Sequence, residues 1–338
     1  MIINKFDTKD KVFIIAEIGN NHEGDFDLAK KLIYLASESG ANAVKFQTIV
    51  PEKLIFKEEN ARLAQLRNYQ FSQEQFKDLS VIAQEEGLIF LSTPFDLESA
   101  NFLNDLVSAF KISSGDNTFF PLIEQIVSTG KPIIMSTGML RIKELEKSVE
   151  FIKGKWENLG IKQSLGLLHC VSSYPTSPKD ANLSKILSIK KYADVVGYSD
   201  HTMGIEAAIL SVGMGARIVE KHFTIDNNFS TFHDHKLSAD PRTFKLMVEK
   251  IREAELLMGK YTDELSNSEL NGRTMYRRSV IFNKNLEKNH LISNQDLGWV
   301  RKKGDFSPGE EDKIIGKYLN YDVKKGDLLL AEMLRGVK

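Results

Sequence analysis

The chain has 338 residues, 42% of them hydrophobic, which is enough for one large packed domain and a small one. With 45 basic and 46 acidic residues the formal net charge is −1, so no electrostatic footprint points to nucleic acid, a polyanion or a membrane surface as partner. The single cysteine, Cys170, excludes an intrachain disulfide and a cysteine-rich zinc site.

No run of about eighteen apolar residues occurs, and no basic stretch leading into an apolar one opens the chain, so the expected location is cytoplasmic. The first apolar run, VFIIAEIG (12–19), is too uniform for a half-exposed strand and suits a sheet covered on both faces. A helix is predicted next: Asp25 caps it, Leu28, Leu32 and Leu35 form one stripe, and Gly40 stops it. The same design recurs in AVKFQT (43–48), LIFLSTPF (88–95), AFKISSG (109–115), PIIMSTG (132–138), LGLLHCV (165–171), VVGYSDHT (195–202) and RIVEKHFT (217–224). Helical periodicity fills 72–87, 119–130, 141–154 and 203–216, and the segment 49–71 reads as a lid loop. Eight strands alternating with helices over about 250 residues predict an α/β fold, a (β/α)8 TIM barrel. A doubly wound open sheet is the competing architecture, but EIGNNHEG after the first strand lacks the G-x-G-x-x-G spacing.

After the eighth strand come a polar loop (224–241) and a last amphipathic helix whose apolar positions include Phe244, Met247, Ile251 and Leu257. The expected division is a barrel over 1–260, a linker over 261–276 and a small, mostly β domain over 277–338. Within that domain NLEKNHLISNQDL (285–297) resembles DVKKGDLLLAEML (322–334) at a spacing of 37, a short duplicated unit. So small a core is marginal alone and is expected to dock on something.

The carboxyl ends of barrel strands carry the chemistry. Here the first strand delivers Glu17, the second Lys45 and Gln47, the third Thr93, and the fourth Lys111 with Ser113 and Ser114. The fifth gives Ser136 and Thr137, and the sixth His169, Ser172 and Ser173. The last two give Ser199, Asp200, His201, Glu220 and His222. A lysine inside an apolar strand is costly to bury unless an anion meets it. Either Lys45 and Lys111, with hydroxyls from Thr93, Ser114 and Ser136, form a phosphate or carboxylate site, or each pairs with a strand-end acid such as Glu17 or Glu220. By the two-residue period Gly197, Ser199 and His201 share one face, as do Glu220, His222 and Thr224. His201 and His222 are then hydrogen-bonded rim residues or the imidazoles of one metal site. Two imidazoles without cysteine suit a partly hydrated Mn²⁺ or Mg²⁺ better than structural zinc. Asp234 with His233 or His235 competes as a ligand or is a polar loop. Cys170, among Leu167, Leu168 and Val171, reads as a buried strand residue rather than a nucleophile.

The motifs AEIGNNHEG, VKFQT, STPFD, FKISSGD, PIIMSTGM, LLHCVSSYPT, GYSDHT, EKHFT and DHKLSADP, in this order, resemble the sialic acid synthase family. Its members condense phosphoenolpyruvate with an N-acylated hexosamine to nine-carbon nonulosonic acids. The resemblance spans nearly the whole chain and implies a (β/α)8 barrel followed by an antifreeze-like domain. It implies metal ligation by His201 and His222, and a phosphoenolpyruvate site of Lys45, Thr93, Lys111, Ser114, Ser136 and Ser199. Gln47, Asp116, Tyr174 and Asp234 fall at positions used around the sugar, and Glu17 at the acidic position near the reacting carbons. The resemblance further implies a domain-exchanged homodimer whose small domain supplies an arginine to the sugar. Where relatives have K-R-P-G-x-G this chain reads WVRKKGDFSPGE, and Arg301 rather than Lys302 keeps the planar fork that grips a carbonyl or hydroxyl pair. Ser172 stands where the family pattern has asparagine, which bears on the choice of sugar. The expected activity is that of a transferase releasing phosphate by C–O cleavage, with N-acetylmannosamine or a 2,4-diacetamido-trideoxyhexose as open-chain acceptor. The alternatives are a metal-dependent barrel aldolase or lyase on a phosphosugar, and a sugar-binding protein without turnover.

Overall fold

A computed structural model of the chain describes residues 1–260 and 262–336. Tyr261, which heads the expected linker, and the last two residues of the expected small domain lie outside the described residues. The chain divides into two units, Met1–Gly259 and Lys260–Lys338.

In the first unit every expected apolar run contains a strand: β1 (Phe13–Gly19), β2 (Ala43–Thr48), β3 (Ile89–Pro94), β4 (Phe110–Ile112), β5 (Ile133–Ser136), β6 (Leu165–Cys170), β7 (Val195–Asp200) and β8 (Ile218–His222). The strands pair in parallel in the order β3-β2-β1-β8-β7-β6-β5-β4, and β3 lies beside β4. The first strand seated against the last is the mark of a closed barrel, and the open doubly wound sheet is thereby excluded. The unbroken apolar runs follow from this closure, because each strand is covered on both sides. Ile14, Val44, Phe90 and Val219 pack outward under the helices. Phe13, Ile15, Leu91, Ile134, Leu168 and Ile218 pack inward. Met1 and Ile3 of the amino-terminal hairpin (Ile2–Ile3 with Phe6–Asp7) join that inner cluster and plug the lower end of the barrel with apolar groups.

β7 and β8 approach closely at Gly197, where a Cβ would collide with the Ile218 carbonyl oxygen and the Leu168 side chain. A ladder carbonyl cannot step aside. Gly197→Ala is therefore expected to cost at least about 1–3 kcal/mol by overpacking, read as a lower urea midpoint; an unchanged midpoint would show that the strands have slack.

The helix Phe26–Glu38 starts at Asp25, whose carboxylate accepts from the Leu28 N–H at 3.0 Å, and it buries Leu28 and Leu32. The helix Gln73–Glu85 begins with a reciprocal capping box between Ser72 and Gln75. In the last barrel helix, Pro241–Met258, Phe244, Met247 and Ile251 are buried, but Leu257 is 80% exposed. Six residues past Ile251 is about 240° further round the axis, off the buried stripe. The segment expected as a lid loop holds two helices, Pro51–Leu54 and Asn60–Tyr69. Among the described residues no helix is long and apolar enough to cross a membrane.

The second unit opens with the helix Asn267–Tyr276, capped by Ser266, inside the stretch read as a linker. Its β part is small and twofold repeated. Arg278–Phe282 pairs antiparallel with Leu297–Arg301, and Tyr318–Leu319 with Leu334–Arg335. The two sequence copies meet each other: Leu286 and Val323 exchange backbone hydrogen bonds at 3.0 and 2.9 Å. Asn283 donates to the carbonyls of Gln295 and Leu297, and Asn320 does the same to Glu332 and Leu334. Each of these residues matches its counterpart at the spacing of 37 seen in the sequence, so the duplicated unit buries its core against its own copy.

Candidate active site

Near the carboxyl ends of the strands the inward face changes from apolar to polar. Two or four residues beyond the apolar floor stand Glu17 on β1, Lys45 and Gln47 on β2, Thr93 on β3 and Lys111 on β4. Ser136, Cys170, Ser199, Glu220 and His222 occupy the same layer on β5 to β8. The two-residue period that buries the floor places these side chains in the bore. They line a cavity of about 340 Å³, joined by Ser114 and His201 just past their strands, by Ser172 and Tyr174 from the loop after β6 and by Asp234 from the short helix His233–Leu237.

Four charged groups form its base. Lys45 Nζ lies 2.7 Å from Glu17 and 3.6 Å from Glu220, and Lys111 Nζ lies 3.8 Å from Glu220. The lysines thus do meet strand-end acids, while their remaining donors reach hydroxyls: Lys45 to Thr93 at 3.2 Å and Lys111 to Ser136 at 2.7 Å. The two carboxyls are held apart in acidity. Burial pushes Glu17 up to about 7 against the pull of Lys45. Burial also pushes Glu220 up, but Lys111, Lys45 and the Ser199 hydroxyl at 2.8 Å outweigh it and hold Glu220 below the usual carboxylate range. Burial holds Lys111 below the usual lysine range despite Glu220. With Glu17 largely neutral below pH 7, two ammonium groups face one firmly ionised carboxylate, a balance that favours an incoming anion.

Above this base the rings of His201 and His222 stand 5.4 Å apart. His201 Nδ1 is 2.8 Å from the Val171 carbonyl oxygen, which fixes that nitrogen as a donor and makes Nε2 the ring nitrogen that a metal would take in the neutral form. His222 Nδ1 is buried without a hydrogen-bond partner. Burial, with His201 and Lys45 nearby, holds His222 well below the ordinary imidazole range, so it is neutral. Asp234 Oδ2 is 3.9 Å from His222 Nδ1. Tyr174 lays its ring 4.2 Å from that of His201. Gln47 donates to Glu17 at 3.1 Å and accepts from Asn20 at 3.0 Å, which sets the face it presents. The Ser172 hydroxyl is buried and unpartnered. It has room only because position 138 is glycine: a Cβ there would stand 2.5 Å from Ser172 Oγ and 2.6 Å from Ser114 Oγ.

Several polar strand-end residues face elsewhere. His169, one residue out of phase with Leu168 and Cys170, points outward to the Ala181 carbonyl oxygen at 2.7 Å. Asp200 is likewise one residue out of phase with Ser199 and His201, and it pairs with Lys221 at 3.0 Å in a buried outer-face ion pair. His235 turns away from the cavity to Thr224 and Glu23. Asp116 does not line the cavity; its carboxylate accepts from Ser113 at 2.6 Å. Arg301 ends the strand Leu297–Arg301 of the second unit, exposed, with its guanidinium 6.0 Å from the Tyr276 ring centre. Arg62, Phe95, Met139 and Phe232 also line the cavity, and the strand-end reading of the sequence does not reach them. Phe95 carries a signal that could have found it, two residues after Thr93 and in phase with it; Arg62 carries none, because its helix has no strand to count from.

The sequence matches the NeuB family over residues 32–263 and the SAF domain over residues 277–335. It is 39% identical to N,N'-diacetyllegionaminic acid synthase of Legionella pneumophila, over 95% of this chain and 94% of that protein. It is 34% identical to pseudaminic acid synthase of Campylobacter jejuni, over 97% and 98%. The fold is similar to the crystal structure of N-acetylneuraminic acid (sialic acid) synthetase from Leptospira borgpetersenii in complex with citrate. That match has 36% identity and a TM-score of 0.73, covering 78% of this chain and 91% of that one.

Proposed function

The chain belongs to the NeuB family, and on that footing we propose that it is a nonulosonic acid synthase condensing phosphoenolpyruvate with an open-chain N-acyl hexosamine. The observation that carries this reading is the convergence of Lys45, Lys111 and their hydroxyl partners with two imidazoles in one cavity. Such a cavity takes an anionic and a carbonyl-bearing reactant together. Relatives whose names are those of legionaminic and pseudaminic acid synthases support a 2,4-diacetamido-trideoxyhexose as acceptor, with N-acetylmannosamine as the simpler candidate.

Lys45 and Lys111, with Thr93, Ser114, Ser136 and Ser199, hold the carboxylate and phosphate of phosphoenolpyruvate. The unpartnered Ser172 hydroxyl, Gln47, Tyr174 and Asp234 orient the acceptor; we assign Asp116, acting through the Ser113 hydroxyl that lines the cavity, and Arg301 to the same task, Arg301 coming from the small domain of a second copy in a domain-exchanged dimer. C3 of the enol attacks the acceptor aldehyde carbon, and the electron deficiency left at C2 is met by water. Glu17, buried with its acidity matched to neutral pH, takes the proton of that water. The C2–O bond to phosphate then breaks as the C2 hydroxyl becomes the keto group and its proton leaves with inorganic phosphate, while the oxygen of the former aldehyde takes up the proton from Glu17 and becomes a hydroxyl.

The imidazole pair fits a divalent ion such as Mn²⁺ or Mg²⁺: His222 is neutral with an unpartnered Nδ1, and with His201 Nδ1 donating to Val171 its Nε2 is the nitrogen that would meet the ion. Among the described residues no group of three His, Cys, Asp or Glu side chains is placed to hold a metal, so His201 and His222 would leave positions for water and substrate. Bound there, the ion supplies Lewis acidity to the acceptor carbonyl.

The test is phosphate release from phosphoenolpyruvate with a panel of N-acyl hexosamines in the presence of Mn²⁺, using phosphoenolpyruvate labelled with ¹⁸O at the bridging position. Label is expected in inorganic phosphate. Label retained in the sugar acid would mean cleavage at phosphorus and would overturn the scheme, and no phosphate release with any acceptor would overturn the reading itself.

A further inference from the structure

Glu23 takes no part in the chemistry above, yet two segments at the cavity mouth meet on its side chain. It lies in the turn between β1 and the helix Phe26–Glu38, with its backbone in the left-handed region at φ +48°. Its carboxylate accepts from the Ser230 hydroxyl, from His235 Nε2 at 2.9 Å and from the Tyr69 hydroxyl at 3.4 Å. The fully buried His235 ring is held on its other side, with Nδ1 2.6 Å from the Thr224 hydroxyl. Tyr69 ends the helix Asn60–Tyr69, which brings Arg62 to the cavity. Ser230 and His235 bracket Phe232, His233 and Asp234, which line it. The Phe232 ring packs edge-on against Tyr69, with centres 5.5 Å apart, so the two segments also touch directly.

The neighbouring residue carries an independent sign of the same contact. Gly24 has φ +88°, and a Cβ there would collide with the Asn68 carbonyl oxygen. The end of the lid helix therefore rests on this turn. A glutamate in the left-handed region persists only where its surroundings over-determine it, and here three hydrogen bonds from two other segments do so.

We propose that Glu23 is a positioning residue that pins the helix Asn60–Tyr69 to the 230–235 segment, so that Arg62 and Asp234 are presented together to the acceptor. The acceptor part of this inference rests on the function proposed above. The latch itself does not, since it predicts that two segments distant in sequence open together.

Glu23→Ala, Glu23→Gln and Gly24→Ala are compared with the wild type in the full chain. In Glu23→Ala the KM for the acceptor is expected to rise about tenfold or more, the scale of losing hydrogen bonds to a charged group, while the KM for phosphoenolpyruvate is unchanged. Gly24→Ala, which leaves the carboxylate intact but lifts the helix end, is expected to move the same constant in the same direction. Glu23→Gln, still able to accept hydrogen bonds, falls between wild type and alanine. Hydrogen exchange is expected to accelerate together in 60–69 and 230–237 in both the alanine variants, with the barrel strands unaffected. An unchanged acceptor KM, or both KM values rising alongside a general loss of protection, would overturn the proposal. If the wild type turns over none of the acceptors, the function falls, and exchange alone judges the latch: joint opening of the two segments supports it, and opening of one without the other sinks it.

Discussion

Glu17→Gln is expected to lower kcat by about 10²–10⁴-fold, the range for loss of a positioned general base, with the fold intact. The amide keeps the size of the carboxyl, and its one remaining acceptor oxygen can still meet either Lys45 or Gln47, which lie at 2.7 and 3.1 Å on different oxygens of the carboxylate, so one anchor survives while proton transfer does not. Two pH measurements separate this from a merely structural effect. As a base Glu17 must be ionised, so kcat/KM of the wild type should fall as pH drops below about 7. In the variant that limb disappears with most of the rate. Stability runs the other way. The folded value is raised from 4.5 to about 7, so within that window the native chain holds a proton that the unfolded chain has lost, and the contribution of this group to stability falls as pH rises. The variant should show a shallower dependence between those pH values. A variant that retains wild-type kcat would remove Glu17 from the mechanism.

Lys111→Met is expected to weaken phosphoenolpyruvate binding by about 2–5 kcal/mol, the scale for truncating one partner of a buried, hydrogen-bonded charge pair. The change in folding stability should be small by comparison, because two terms oppose each other. Removing a buried ammonium relieves the desolvation that holds Lys111 below its ordinary range. It also takes from Glu220 a partner at 3.8 Å, leaving Lys45 at 3.6 Å. Adding Glu220→Gln to Lys111→Met should recover whatever stability is lost but none of the binding. Titration calorimetry with phosphoenolpyruvate alone, beside thermal unfolding of the three proteins, decides the matter. Affinity that follows stability across the set would mean that Lys111 serves the barrel and not the anion.

Local periodicity carries much of this molecule. A strand buried on both faces must be written as an unbroken apolar run, so eight such runs can be counted and the barrel inferred from their number. The period of two then sets Glu17, Lys45, Thr93, Lys111, Ser136, Ser199 and His222 on the inward faces of their strands, where the cavity holds them. The same period, strictly applied, turns His169 and Asp200 outward; they are each one residue out of phase with their cavity-facing neighbours. The 37-residue echo in the second unit is equally legible, because duplicated sequence must bury its core in duplicated contacts.

What only the tertiary structure decided are meetings between segments with no common period. Whether Lys45 and Lys111 would find acids or an anion depended on barrel closure, which brings Glu220 on β8 within 4 Å of both. The arrival of Arg62 on a helix where a loop was expected, and its tether to Glu23 through Tyr69, depend on where a lid comes to rest. The fate of the HDH triplet, with Asp234 turned toward His222 and His235 turned toward Glu23, is likewise set by packing across the mouth. Side-chain direction along a strand is fixed by the backbone of that strand alone, whereas the resting place of a loop is fixed by everything it touches; the sequence determined the first and left the second to the assembled barrel.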